Sequence, residues 1–330
     1  MDGMDEYTLY GSFHTVEIHT DNASEESLKY LMTTKVVRQW YLLRDTDKYK
    51  YGIVLNLNNY YGSPIYQWSL FMRYMQDITG LLGVNKWIFW RVDFRLDNYD
   101  QDSYARYIKF NRLVVLAVAR GLAIKNTYQS IDMQTLELIT MSIKKESNYE
   151  FEIYNRHHKS QQNNSNDRAV TRIEMRTLSQ ILRQLRTPKN RRSKGIKSGE
   201  YELIKYAIQT DWKNKLLRAL SDQNITATIE STADTIKDLS RQRKALYPEE
   251  PEEDRRDYIV TRYADWIFNP EELRQVLKQD PDMISYNINS MGKNIKNKYK
   301  SVADFNYIRK KDIAEFKNTV KNAIYNYFAD

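Results

Sequence analysis

The chain has no cysteine, and its 330 residues include only 4 histidines, 6 prolines and 10 glycines. The missing thiols exclude disulfides, zinc–thiolate sites, iron–sulfur clusters and cysteine nucleophiles together. No stretch approaches the roughly 20 apolar residues of a membrane span. The opening residues, Met1-Asp2-Gly3-Met4-Asp5-Glu6, are acidic and lack the apolar segment of a secretory or transit peptide. The expected site of action is cytoplasmic, with no membrane partner. What is abundant is charge and tyrosine: 51 Lys and Arg against 43 Asp and Glu, a formal charge of +8, and 26 Tyr. Hydrophobic residues make up 41% of the chain, enough for packed cores, and the length favours more than one domain.

Four short segments read as strands carrying carboxylates on a polar face: Thr15 to His19, Trp90 to Asp97, Glu150 to Arg156 and Val170 to Arg176. Side chains alternate across a strand. Arg91, Asp93, Arg95 and Asp97 therefore share one side, and Trp90, Val92, Phe94 and Leu96 the other. If the strands are neighbours, Glu17, His19, Asp93, Asp97, Glu152 and Glu174 converge on a divalent cation. Oxygen-rich ligation favours Mg²⁺ or Mn²⁺. The bland alternative is a solvated antiparallel face whose opposite charges pair across strands for about 0.2–1 kcal/mol each.

Around these strands the patterning predicts a helix from Ser27 through Trp40, a strand over Tyr51 to Leu57, and helices over Ile65 to Leu82 and Ser103 to Arg120. A hairpin joins Leu136–Ile143 to Tyr149–Tyr154. From Leu178 onward the chain reads as helical. The fold class expected is α+β: an antiparallel, palm-like sheet of ferredoxin-like or replication-initiator type with helices, then a mostly α-helical C-terminal region. The domain reading is residues 1–187 as an α+β nucleic-acid and metal domain, and 188–247 as a basic loop with a helical extension. An acidic, Pro-containing linker at 248–255 and a helical domain at 256–330 follow.

Positive charge is concentrated. Between Arg172 and Lys197 stand nine Lys or Arg against one acid, Glu174. The segment with Lys189, Arg191, Arg192, Lys194 and Lys197 reads as a flexible basic loop suited to phosphates, whose contacts dominate affinity and make it salt-dependent. A second basic segment around Lys293 and Lys296, with asparagines interleaved, has the layout of a helix-turn-helix or winged module.

The ordered set Arg91-Val92-Asp93-Phe94-Arg95-Leu96-Asp97, then Phe151-Glu152-Ile153-Tyr154-Asn155-Arg156, then Thr171-Arg172-Ile173-Glu174-Met175-Arg176 resembles rolling-circle replication initiators of the Rep_trans and filamentous-phage gene II type. The resemblance covers roughly Lys86 to Leu178. It implies a palm-like sheet that holds a metal ion, and a tyrosine that attacks a phosphodiester to leave a 5′-phosphotyrosine and a free 3′-OH. By that resemblance Asp93 and Glu174 are the first metal-side residues, with Asp97, Glu152 and Glu17 behind them, and Arg172 or Arg176 clamps phosphate. The family's nucleophile sits on the hairpin strand before the tyrosine motif. Leu136 to Lys145 contains no tyrosine here, which leaves Tyr128 or Tyr149 for that role.

The functional reading from sequence is a plasmid or phage replication initiator that binds origin DNA, double- and single-stranded, with nicking as the enzymatic form. A host helicase and a second copy of the chain are further candidate partners, which the sequence does not name. Two alternatives remain open: a non-catalytic origin-binding initiator or repressor, and an RNA-binding structural or assembly protein.

Overall fold

The computed structural model describes residues 8–44, 48–61, 65–100, 103–124, 127–131, 138–145, 148–156, 171–263, 268 and 308–329. Among them, the strands are β1 (Tyr10–Thr20), β2 (Val37–Leu42), β3 (Tyr51–Asn56), β4 (Trp87–Asn98), β5 (Thr127–Ile131), β6 (Leu138–Lys145), β7 (Tyr149–Asn155) and β8 (Thr171–Thr177). They form one antiparallel sheet of 8 strands in the order β2-β3-β1-β4-β8-β7-β6-β5. The topology has two halves. β1 leads through α1 (Glu25–Thr33) to the β2–β3 pair, which folds back so that β3 lies beside β1. β4 leads through the helices α2 (Ser103–Arg106) and α3 (Ile108–Gly121) to the meander β5 to β8, which returns β8 to the side of β4. The halves join along β1 and β4, the two longest strands, so their side chains occupy the middle of the sheet.

One face is apolar and closed by helices. Phe13, Val16, Ile18, Phe94, Leu96, Phe151, Ile153, Ile173 and Met175 are buried there. Phe13 packs against Phe71 at 4.4 Å and Tyr327 at 5.6 Å between ring centres, so the terminal helix, Lys310–Tyr327, shares its core with the first strand. Each such side chain contributes about 1.5–3 kcal/mol through burial. The α+β class with a helical C-terminal region is as the sequence indicates.

Several local expectations change. α1 stops at Thr33, and the residues assigned to its continuation form β2 instead. Lys35 turns the chain with φ 58° and the β-branched pair Val36-Val37 follows, which favours a strand. The basic segment is not a loop. Residues Pro188–Lys194 form a helix, here α5, that follows α4 (Ser179–Arg186). Thr187 caps it through Asn190, Pro188 occupies its first turn, and Gly195 closes it at φ 66°, a left-handed conformation that glycine adopts without strain. The acidic run becomes a tight connection between two helices, Asp222–Leu246 and Glu252–Tyr263, with Arg243 donating to Glu250 at 2.9 Å.

Candidate functional site

The other face of the sheet is polar, and register decides who meets whom. One cross-strand row runs Tyr128, Ser142, Glu152, Glu174, Arg95, Ser12 from β5 to β1. The next row runs Lys144, Glu150, Arg176, Asp93, Thr15, Asn56. Two bulges interrupt β1 and β4. His14 is the extra residue between the Phe13–Phe94 and Thr15–Asp93 pairs, and Trp90 is the extra residue between Glu17–Arg91 and Ile18–Phe89. The second bulge corrects the expected alternation. Phe89 takes the buried apolar position, while Trp90 stacks on His19 at 4.1 Å, on the polar side.

The carboxylates predicted as ligands fall into separate clusters, two closed by arginines and one by a histidine and a tyrosine. Arg176 stands among Glu150 (2.7 Å), Glu152 (2.8 Å), Glu174 (3.0 Å) and Asp93 (3.7 Å). Asp93 is also clamped by Arg91 through two bonds of 2.8 and 2.6 Å. Asp97 accepts from Arg172 at 2.6 and 3.0 Å and pairs with Arg95 at 3.1 Å, all three side chains being fully buried. Glu17 accepts from His19 at 2.9 Å and from the Tyr41 hydroxyl. From the row of Glu17 and Arg91 to that of Asp97 is six residues along β4, about 20 Å at the usual rise. The six candidates do not meet at one point, and among the described residues no three acidic or histidine side chains are grouped to hold a metal ion. Asp93, Asp97, Glu152 and Glu174 are bonded to guanidinium groups and Glu17 to His19 and Tyr41, so the donor set does not fit a Mg²⁺ or Mn²⁺ shell in this arrangement.

The candidate nucleophiles lie on opposite faces. Tyr149 shares the apolar side with Phe151, packs on Trp212 at 5.1 Å and donates to Asp211 at 2.7 Å, so it is a core residue. Burial and Asp211 push its phenol up. Tyr128 is exposed on the polar face, two strand spacings or about 10 Å from Glu152. Sequence reasoning missed Tyr41. It lies across Gly52, where any Cβ would meet its ring at 2.5 Å, and this close approach lets the hydroxyl reach Glu17. Burial and Glu17 raise the Tyr41 phenol. Against the cost of burial, His19 and Tyr41 hold Glu17 below the usual carboxylate range.

Near the centre, burial pushes Asp93 up to about 6 against the pull of Arg91. Burial alone would raise Glu174 too, but Arg176 and His14 hold it well below its usual range. His14, 3.5 Å from Glu174, is driven down to about 4 by burial, with Arg95 adding to the effect. The unfolded chain takes up a proton at this histidine near pH 6.5, whereas the folded chain waits until about 4, so acid favours unfolding within that window. Relative to a His14→Gln variant, the native chain should lose roughly 3 kcal/mol between pH 6.5 and 4. Urea unfolding at a series of pH values measures this; curves that run parallel across the window would mean His14 titrates normally.

The basic segment sits where β4 outruns its neighbour. β8 pairs with β4 only from Val92 onward. At Phe89 the exposed edge is sealed by side chains: its N–H donates to Glu200 at 2.8 Å and its carbonyl accepts from Arg186, which also donates to Glu200 at 2.8 and 2.7 Å. This clamp fixes α4 and the helix α6 (Glu200–Tyr206) to the sheet, and α5 between them is held in turn. Arg183, Lys189, Arg192, Lys194 and Lys197 are exposed there, whereas Arg191 is drawn inward to the carbonyls of Lys197 and Gly199. Arg176, expected at a nucleic-acid contact, is spent on its carboxylates. Lys293 and Lys296 lie outside the described residues, as does the helix-turn-helix reading built on them.

No family model and no curated protein matches the chain. Among solved structures it is similar to a rolling circle replication initiator protein from Geobacillus stearothermophilus, at 14% identity over 54% of this chain and 78% of that one, with a TM-score of 0.29. A superposition this loose assigns no residue a role, and the site rests on its own geometry. Among the described residues no helix is long and apolar enough to cross a membrane.

Proposed function

We propose that the protein binds nucleic acid as a replication-initiator-type or repressor-type DNA-binding protein that marks its site without cutting it. The observation that carries this reading is the exposed cationic surface of α4, α5 and the turn after them, where residues 175–199 include no acid to neutralise Arg183, Lys189, Arg192, Lys194 and Lys197. Phosphate contacts of this kind give affinity and register without base reading. The clamp at Phe89 holds this surface to the sheet. The carboxylates of the polar sheet face are engaged by Arg91, Arg172 and Arg176 and not left open for a cation. A second reading, tyrosine nicking, draws on one feature: Tyr128 is exposed and stands in the same row as Glu152, Glu174 and Arg95.

Incubation with supercoiled DNA of the protein's own locus, with and without Mg²⁺ or Mn²⁺, separates the two. Retarded, uncut DNA whose retardation weakens steeply with salt is the expected result. Nicked DNA with protein covalently attached would overturn the non-cutting reading and put Tyr128 first among the residues to map. Preference for RNA over DNA in competition would favour the assembly-protein alternative.

A further inference from the structure

Beside the clamp, the described structure contains an open groove of about 610 Å³. Trp87, Ile196 and Tyr49 are among the residues that line it. Lys86, Arg191 and Arg192 supply positive charge along it. The acid in the groove, Glu200, is neutralised by Arg186 at 2.7 Å. Trp87 is half-buried, held edge-on against Phe89 at 4.8 Å and Tyr201 at 5.8 Å, so its ring is fixed in place before any ligand arrives. The volume falls within the roughly 300–1,000 Å³ of sites that enclose small organic groups.

We propose that this groove holds an unpaired segment of single-stranded nucleic acid, with a base against Trp87 and Tyr49 and its phosphates toward Lys86 and Arg192. This deepens the nucleic-acid reading above and rests on it. Three features select the occupant. Flat aromatic surface beside cations suits a base with its attached phosphate, because every base has a stacking face and every nucleotide a negative charge. A duplex keeps its bases stacked on each other and offers no free face to Trp87. α5 lines the groove through Arg191 and Arg192 and carries two further exposed cations, Lys189 and Lys194, so positive charge extends beyond one nucleotide and favours a strand over a free mononucleotide.

The test uses the full chain and a fluorescent oligothymidine of about a dozen residues, read by anisotropy, with a duplex of mixed sequence and thymidine monophosphate as the other arms. Tyr49→Ala should weaken binding of the single strand about 10-fold while changing duplex binding less than 2-fold. Ultraviolet crosslinking of the wild-type complex should place the strand on the peptides that contain Tyr49 or Trp87, and this second readout does not depend on any variant folding. The proposal stands only if both results are obtained. Unchanged single-strand affinity in Tyr49→Ala, crosslinks mapping elsewhere, or mononucleotide competing as well as the strand would each overturn it and leave the nucleic-acid reading intact. Wild-type protein that binds neither strand nor duplex would overturn both.

Discussion

Replacing Arg176 with Met should cost the fold about 3–5 kcal/mol at neutral pH, because one guanidinium holds four carboxylates on β4, β7 and β8. Removing it leaves Asp93, Glu150, Glu152 and Glu174 facing one another in a poorly hydrated part of the sheet. The sign of the pH response then follows. Clustered carboxylates without their cation have folded pKa values above the unfolded ones, so they weaken the fold at neutral pH, and the loss shrinks as pH falls through the folded values. Urea denaturation of variant and native chain at pH 7 and pH 5 should show the deficit between them shrinking on acidification. A loss below about 1 kcal/mol with no pH dependence would mean that water already screens the cluster, as it does at most exposed ion pairs.

Exchanging Lys189, Arg192 and Lys194 for Gln should lower DNA affinity on the order of 10²-fold at about 0.15 M salt. Three lost phosphate contacts reduce the slope of log K against log salt by about 2.7. The three side chains are exposed and α5 keeps its Thr187 cap and Gly195 stop, so unfolding curves should barely move. Affinity and slope that both survive the triple exchange would remove this surface from the DNA footprint and with it the observation on which the functional reading rests.

Alternation carried the sequence reading far for the strands. β4, β7 and β8 were legible because charged and apolar residues change places at every step, and the face assigned to Asp93, Asp97, Glu152 and Glu174 is the one they occupy. Position along that face was not legible. Alternation gives the side of a sheet, whereas convergence on a cation depends on cross-strand register, and register places Glu17 and Asp97 about 20 Å apart. The bulges at His14 and Trp90 were equally hidden, since one extra residue leaves no compositional mark. Two errors had signals in plain view. Tyr149 precedes Phe151 and Ile153 by even steps, which puts it on their apolar face. Thr187-Pro188 followed by Gly195 is a helix start and stop that the density of Lys and Arg obscured. β2 was lost because Val36, Val37 and Trp40 also fall at helical spacing, and only the turn at Lys35 separates them from α1.

The seal at Phe89 links sheet and basic surface in time as well as in space. Most amides in a central strand exchange with solvent only when the strand pairing itself comes apart, but the Phe89 amide is protected by the Glu200 carboxylate, and its carbonyl by Arg186. Undocking of α4 and α6 therefore exposes that single amide while the rest of β4 remains protected, so its hydrogen-exchange rate reports how often the cationic helices lift from the sheet.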